Sequence, residues 1–266
     1  MHPVVSGNKF FKLRFYIEAA IADAAISVAS FGGPYSNHIV ALAYAAKEAG
    51  LESIGYIRTN EHEPITESLA EAKSYGMQLA YLGRTEFQSK KEAILLDSKN
   101  NPTCYFVDEG GYGALGAKGA ATILTDHDTK DYDYIIAAVG TGTMLAGCIN
   151  AAQPNQQVIG IPVLKNEGSI KEEINSLLTD KNKAYTLLYQ FHQGGYAKTN
   201  PTMIKFMNAF WEKEKIPTDI VYTSKLLFAV DSLIKENYFE KGSTVLVIHS
   251  GGLQGNRSLP AGTLLF

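Results

Sequence analysis

The sequence is poor in cysteine: two residues in 266, Cys104 and Cys148, far apart and without C-x-x-C spacing. Such usage excludes a disulfide framework or a thiol redox pair and fits a reducing cytoplasm, the expected location. It also lacks a basic excess. With 24 Lys and Arg against 27 Asp and Glu, the formal net charge is -3, so nucleic acid is not an expected partner. No stretch reads as a membrane span. The uncharged segment that begins at Tyr134 is interrupted by "VGTGT", which marks strand, loop and helix. Lys9, Lys12 and Arg14 break up the first residues, so no apolar signal core is visible. The six histidines form no H-E-x-x-H, and "DHD" at 126–128 has no partners at ligand spacing, so no metal is expected.

What is present is alternation. Hydrophobic residues make up 45% of the chain, enough for one large α/β domain or two lobes. Short β-rich runs, among them "AISVAS", "SIGYIRT", "MQLAYLG", "TCYFV", "YIIAAV", "VIGIPVL", "YTLLY" and "STVLVIHS", alternate with helical patterns. Leu13, Tyr16, Ile17, Ala20 and Ile21 recur at helical spacing, and Ala-rich "HIVALAYAAKEAG" ends at Gly50. Further helices are expected at 86–99, near 114–125, and from about 143, 169, 201 and 224. This order predicts an α/β fold with open, mostly parallel sheets covered on both faces. The polar stretch 126–133 reads as a lobe boundary.

Ligands in such folds gather at loops after strand C-terminal ends. "FGGPYSNH" (31–38) leads into a helix and can aim backbone amides with Ser36 and Asn37 at an anion. In "VGTGTMLAG" (139–147), Gly140 and Gly142 permit close backbone approach while Thr141 and Thr143 add hydroxyls, which makes a phosphate cradle. "IHSGG" (248–252) places Ser250 beside two glycines. A tight turn accounts equally well for any one of these loops; together they point to a site. A dinucleotide fingerprint would need glycine at 145, where Leu145 stands, and the acidic residue expected about 20 positions on is missing. There is no Walker lysine. The loop suits a single phosphate group.

Lys9 follows "SGN" where a helix begins, a place that disfavours cations. A surface lysine on an amphipathic helix is the plain account of that residue alone. A phosphate cradle, a lysine whose charge is disfavoured and hydroxyls in other loops together suggest pyridoxal phosphate, whose aldehyde needs an unprotonated amine for a Schiff base.

The segments "SGNKFFKL", "GGPYSNH", "VGTGT", "HQGGYAKTNP", "DIVYTSK" and "IHSGG" resemble, in order and rough spacing, the 1-aminocyclopropane-1-carboxylate deaminase and D-cysteine desulfhydrase family. That family belongs to the fold-type II pyridoxal-phosphate enzymes, related to the tryptophan synthase β-subunit. The resemblance implies a two-lobe, three-layer α/β/α architecture: a small lobe over 12–119, a large cofactor-binding lobe from 1–11 and 120–266, and the cofactor between them. It implies Lys9 as the Schiff-base lysine, Lys12 as a phosphate ligand, and Asn37 on the cofactor's phenolic oxygen. Gly140, Thr141, Gly142 and Thr143 would hold the phosphate, with Thr223 and Ser250 near the pyridine nitrogen. Ser36, Asn37, His38, Tyr196 and Tyr222 would face a small amino-acid substrate, with Lys9, Ser36, Tyr196 and Tyr222 catalytic. A homodimer is also implied.

Two departures stand out. Members usually carry a few dozen residues before the "GNK" motif, so a segment of the family is expected to be missing here. The deaminase branch has a glutamate where this chain has Thr223 and an apolar residue where it has Ser250. A carboxylate there favours a protonated ring and a strong electron sink, whereas a hydroxyl holds no proton by charge. The resulting expectation is a lyase that converts D-cysteine, or a related amino acid, to pyruvate, ammonia and sulfide by α,β-elimination. The alternatives are ring opening of 1-aminocyclopropane-1-carboxylate to 2-oxobutyrate and ammonia, and a homologue that binds a phosphate ligand without turnover. A nucleotide-dependent oxidoreductase is disfavoured by Leu145.

Overall fold

In this computed structural model, residues 7–60, 62–98, 101–165 and 169–266 are described. The expected alternation is what forms: two four-stranded sheets, parallel throughout, each flanked by helices. By contact the chain divides into two compact units, Met1–Gly116 and Ala117–Phe266. The polar stretch 126–133 lies inside the second.

The first unit begins with α1 (Asn8–Ala22), β1 (Ser27–Gly32), α2 (Asn37–Glu48) and β2 (Glu52–Arg58). It continues with α3 (Glu67–Ser74), β3 (Gln78–Leu82), α4 (Phe87–Ser98) and β4 (Cys104–Phe106). Strand order is β3-β2-β1-β4, with Ser27 opposite Glu52 on one side of β1 and Cys104 on the other. Every residue of β1 is buried, as both faces of a central parallel strand must be. Val28 faces a core with Leu13 of α1, Leu42 of α2 and Leu69 of α3, whereas Phe31 packs with Leu82 and Phe87 of α4 on the opposite face. Three layers follow. The helix caps match their residue types: the Ser36 and Thr66 hydroxyls accept from the third residues on, Ile39 and Leu69.

The second unit follows the same logic through α5 (Ala114–Thr125), β5 (Tyr134–Val139), α6 (Thr143–Ala151), β6 (Gln157–Pro162), α7 (Ile170–Ser176) and β7 (Thr186–Leu187). It ends with α8 (Pro201–Glu214), α9 (Thr223–Lys235) and β8 (Val245–Ile248), the sheet order being β7-β6-β5-β8. Alternate residues of β5 enter different cores. Ile135, Ala137 and Val139 join α5, α6 and α7, while Tyr134, Ile136 and Ala138 join Leu226, Ala229 and Leu233 of α9. Leu145, the residue that breaks the dinucleotide pattern, is fully buried. Its bulk on α6 is accommodated by Gly160 on β6, where an added Cβ would lie 2.5 Å from Leu145 Cδ2 and 2.7 Å from Leu187 Cδ2. Gly160→Ala is therefore expected to destabilise the protein by about 1–3 kcal/mol through overpacking, measured as a lower urea midpoint at unchanged slope; an unchanged midpoint would refute this tight packing.

Candidate active site

Lys9 and Lys12 lie one turn apart on α1, which starts after Gly7 in a positive-φ conformation (φ 59°). Both ammonium groups donate to one acceptor, the carbonyl of Gly110; the Lys9 contact is 3.5 Å. Gly110 and Gly111 hold φ near 70° in a single 3-10 turn (Glu109–Gly111). A Cβ on Gly111 would sit 3.4 Å from Lys12 Cε and 3.9 Å from His38 Cε1, so this backbone lies in van der Waals contact with both side chains. Burial lowers the Lys9 pKa to about 8. Lys12 is driven well below its ordinary value, by burial first and then by the Lys9 charge. The helix start is the cause the sequence offers for Lys9; in the structure it is desolvation by burial.

The loop after β1 delivers Ser36, Asn37 and His38 in succession. Ser36 caps α2 by accepting from Ile39 N–H at 3.3 Å, which leaves its hydroxyl proton available to another group. Gly32 lets this loop fold back, since a Cβ there would lie 2.9 Å from Ser36 Oγ. Asn37 opens the helix. His38 is 3% exposed, with Nε2 2.8 Å from Ser30 Oγ on β1 and a buried Nδ1 without a hydrogen-bond partner among the described residues. Burial, then the Lys9 and Lys12 charges, lower its pKa well below the usual imidazole range, so the ring is neutral at pH 7. Lys9, Lys12 and His38 thus share one buried neighbourhood around Gly110 and Gly111. The sequence reading did not single out those glycines, although "EGGYG" after the strand "TCYFV" carries the signal that drew attention to "IHSGG".

In the second unit, "VGTGT" joins β5 to α6. Gly142, at φ 78°, is the residue before the helix, and a Cβ there would collide with Ile174 at 2.6 Å. Thr141 and Thr143 hydroxyls lie 3.1 Å apart. Amides and hydroxyls at a helix N-terminus form a donor set suited to a phosphate. Tyr222 covers the loop: its ring comes within 3.0 Å of a Cβ built on Gly140. Thr223, the first residue of α9, is wholly buried. Its hydroxyl donates to Asp219 Oδ1 at 2.8 Å and accepts from Asp219 N–H at 2.7 Å. The Asp219 carboxylate also accepts from the backbone N–H groups of Val221, Tyr222 and Thr223. Asp219 went unremarked in the sequence; an aspartate four residues before a helix-opening threonine was the available signal. Ser250 is buried ahead of Gly251 and Gly252, both at positive φ. Tyr196 is 53% exposed after Gly194 and Gly195.

Each unit carries part of what pyridoxal phosphate requires: an amine of lowered pKa in the first, phosphate donors at a helix start in the second. The sequence profile of the family described as "Pyridoxal-phosphate dependent enzyme" matches residues 1–251. The chain therefore belongs to the pyridoxal-phosphate-dependent enzymes of fold type II, in the group of 1-aminocyclopropane-1-carboxylate deaminases and D-cysteine desulfhydrases. It is an enzyme, and pyridoxal phosphate is its cofactor. A Thermotoga maritima protein provisionally named 1-aminocyclopropane-1-carboxylate deaminase is 27% identical, over 95% of this chain and 86% of the relative. The Arabidopsis thaliana mitochondrial protein named "Bifunctional D-cysteine desulfhydrase/1-aminocyclopropane-1-carboxylate deaminase" is 24% identical, over 94% and 70% respectively. A crystal structure titled as that of an ACC deaminase homologue superposes with a TM-score of 0.81 at 25% identity, covering 95% of this chain and 82% of that one.

The lowered Lys9 pKa carries a stability cost with a defined pH window. Below about pH 8 the folded protein holds a desolvated ammonium; above the ordinary lysine value neither state is charged and the cost is gone. Lys9→Met should stabilise the cofactor-free protein by about 1 kcal/mol at pH 7, allowing for the partial exposure of Lys9, with the gain vanishing towards pH 10.5. Urea unfolding across that range checks it, and a gain that grows with pH would contradict the assigned cause.

Proposed function

We propose that this enzyme is a D-cysteine desulfhydrase-like lyase, converting D-cysteine and water to pyruvate, ammonia and hydrogen sulfide. The observation that carries the reading is Thr223. At a position where the deaminase branch resembled by this sequence has a carboxylate, this chain has a neutral hydroxyl whose single proton is engaged by Asp219. Asp219 itself is occupied by the start of α9, with its carboxylate turned to three backbone N–H groups.

Bound pyridoxal phosphate supplies an electron sink for the pair released at the substrate Cα. On this reading Lys9 attaches the cofactor and takes the Cα proton, for which a pKa of about 8 leaves a usable neutral fraction near pH 7–8. Lys12 and the amides and hydroxyls of Gly140 to Thr143 hold the phosphate, and Asn37 meets the phenolic oxygen. Ser36, with its lone pair bound by the α2 amide, keeps a proton to donate to the substrate carboxylate. Tyr196 and Tyr222 act as donors to the substrate. Thr223 and Ser250 present hydroxyls to the ring nitrogen. Neither hydroxyl brings a charge to retain a ring proton; Thr223 donates to Asp219, so the hydrogen bond to an unprotonated ring nitrogen falls to Ser250. A weaker sink suffices when a thiol leaves from Cβ. Opening a cyclopropane has no such leaving group.

The relatives' names make ring opening of 1-aminocyclopropane-1-carboxylate the second reading. Side-by-side assays of keto-acid release separate the two. The reading predicts a kcat/KM for D-cysteine at least ~10-fold above that for the cyclopropane substrate, a difference of about 1.4 kcal/mol in transition-state stabilisation. Preference for the cyclopropane substrate would replace the desulfhydrase assignment with the deaminase. Sulfide must accompany pyruvate in equal amount.

A further inference from the structure

Lys225 is a buried cation that the reaction as described leaves without a role. It lies in the first turn of α9 and is 0% exposed, where a positive charge opposes both burial and the helix dipole. Its ammonium has no ion pair among the described residues. Instead it donates to two main-chain carbonyls from different segments: Gly195 at 2.5 Å and Val163, just beyond β6, at 3.4 Å. One side chain therefore ties three pieces together: the start of α9, the end of β6 and the glycine turn that bears Tyr196.

That turn is also closed locally: Gly194 N–H donates to His192 Nδ1 at 3.0 Å and Gly195 N–H to the His192 carbonyl at 3.0 Å. Gln193 and Ala197, on either side of Gly194 and Gly195, have positive φ, a conformation costly for residues with a Cβ unless the surroundings hold it. The Gly195 carbonyl also accepts from Lys198 N–H at 3.2 Å, so Lys225 takes its remaining acceptor capacity. Tyr196 is the next residue. Tyr222, three residues before Lys225, reaches over Gly140 of the phosphate loop. The lysine thus stands at a fixed remove from both tyrosines.

We propose that Lys225 is the positioning residue that sets Tyr196 relative to Tyr222, gripping the 194–196 turn through the Gly195 carbonyl. This rests on the reading that the two tyrosines serve the substrate. The grip is charge-assisted and depends on protonation. Burial lowers the Lys225 pKa to about 8, while the Asp219 carboxylate acts in the opposite sense. Among the described residues, the other charged or titratable groups nearby are Lys165 after β6, whose Cβ lies 3.5 Å from a Cβ built on Gly195, and His192 and Lys198 in the turn itself. As pH rises through 8 the ammonium becomes an amine with weaker donors, and the turn loosens.

The test reads the position of residue 196 without relying on activity. With 4-fluorophenylalanine in place of Tyr196, the fluorine resonance of the protein should move with a midpoint near pH 8, and in Lys225→Met it should be flat between pH 7 and 9.5. Lys225→Arg, which cannot titrate in this range, should be flat as well and serves if the methionine variant does not fold. A flat profile in the otherwise unmodified protein overturns the proposal, as does a pH 8 transition that persists in either variant. In keto-acid assays, Lys225→Met should lower kcat on the order of tenfold with cofactor affinity within about twofold of the parent. If no substrate is turned over, the catalytic reading fails while the resonance still decides the positioning claim.

Discussion

Two lysine side chains ending on a single backbone carbonyl is the constraint around which the first unit is arranged. An ammonium group buried without a carboxylate is unfavourable, and Lys9 and Lys12 are ion-paired to no acid among the described residues. They share the Gly110 oxygen. That arrangement requires glycines in left-handed conformations at 110 and 111, a neutral His38 beside them, and a helix whose N-terminus opens on Gly7. It leaves an amine whose pKa burial lowers to about 8. The lowered pKa and the burial cost have the same cause here.

The second unit solves the reverse problem. Asp219 is a fully buried carboxylate, and burial raises its pKa while hydrogen bonds from Thr223, Val221 and Tyr222 lower it. By gathering those donors it fixes the first turn of α9 and, with it, the orientation of Tyr222 and the hydrogen-bonding state of Thr223. One acid thereby organises residues that the family resemblance distributes among separate roles. A glutamate at 223 would place a second carboxylate against Asp219, so converting one activity into the other would need changes beyond that single position.

Much of this was legible in the sequence because the signals are local. Strand-helix alternation rests on hydrophobic period, and each expected run holds an element with shifted bounds: "AISVAS" gives β1 over Ser27–Gly32, and of "YTLLY" only Thr186–Leu187 forms a strand. The "VGTGT" loop was legible because glycine before a helix and paired threonines have few other uses. Lys9 drew notice because its place conflicts with the helix dipole. What could not be read was long-range: Gly110 meets Lys9 across 101 residues, and Lys225 meets Val163 across 62. Nor does a sequence show that the Thr223 hydroxyl donates to Asp219. His38 and Ser30 are eight apart, and only the fold of β1 into α2 makes them a buried pair.

The central claim is that Lys9 is the amine that carries the cofactor. Borohydride reduction of the cofactor-loaded protein, followed by peptide mass mapping, tests it directly. The account predicts one reduced pyridoxyl group per chain, on the peptide containing Lys9, and no visible cofactor absorbance in Lys9→Ala although that variant still folds. A pyridoxyl group found instead on Lys12, Lys225 or any other lysine would contradict it.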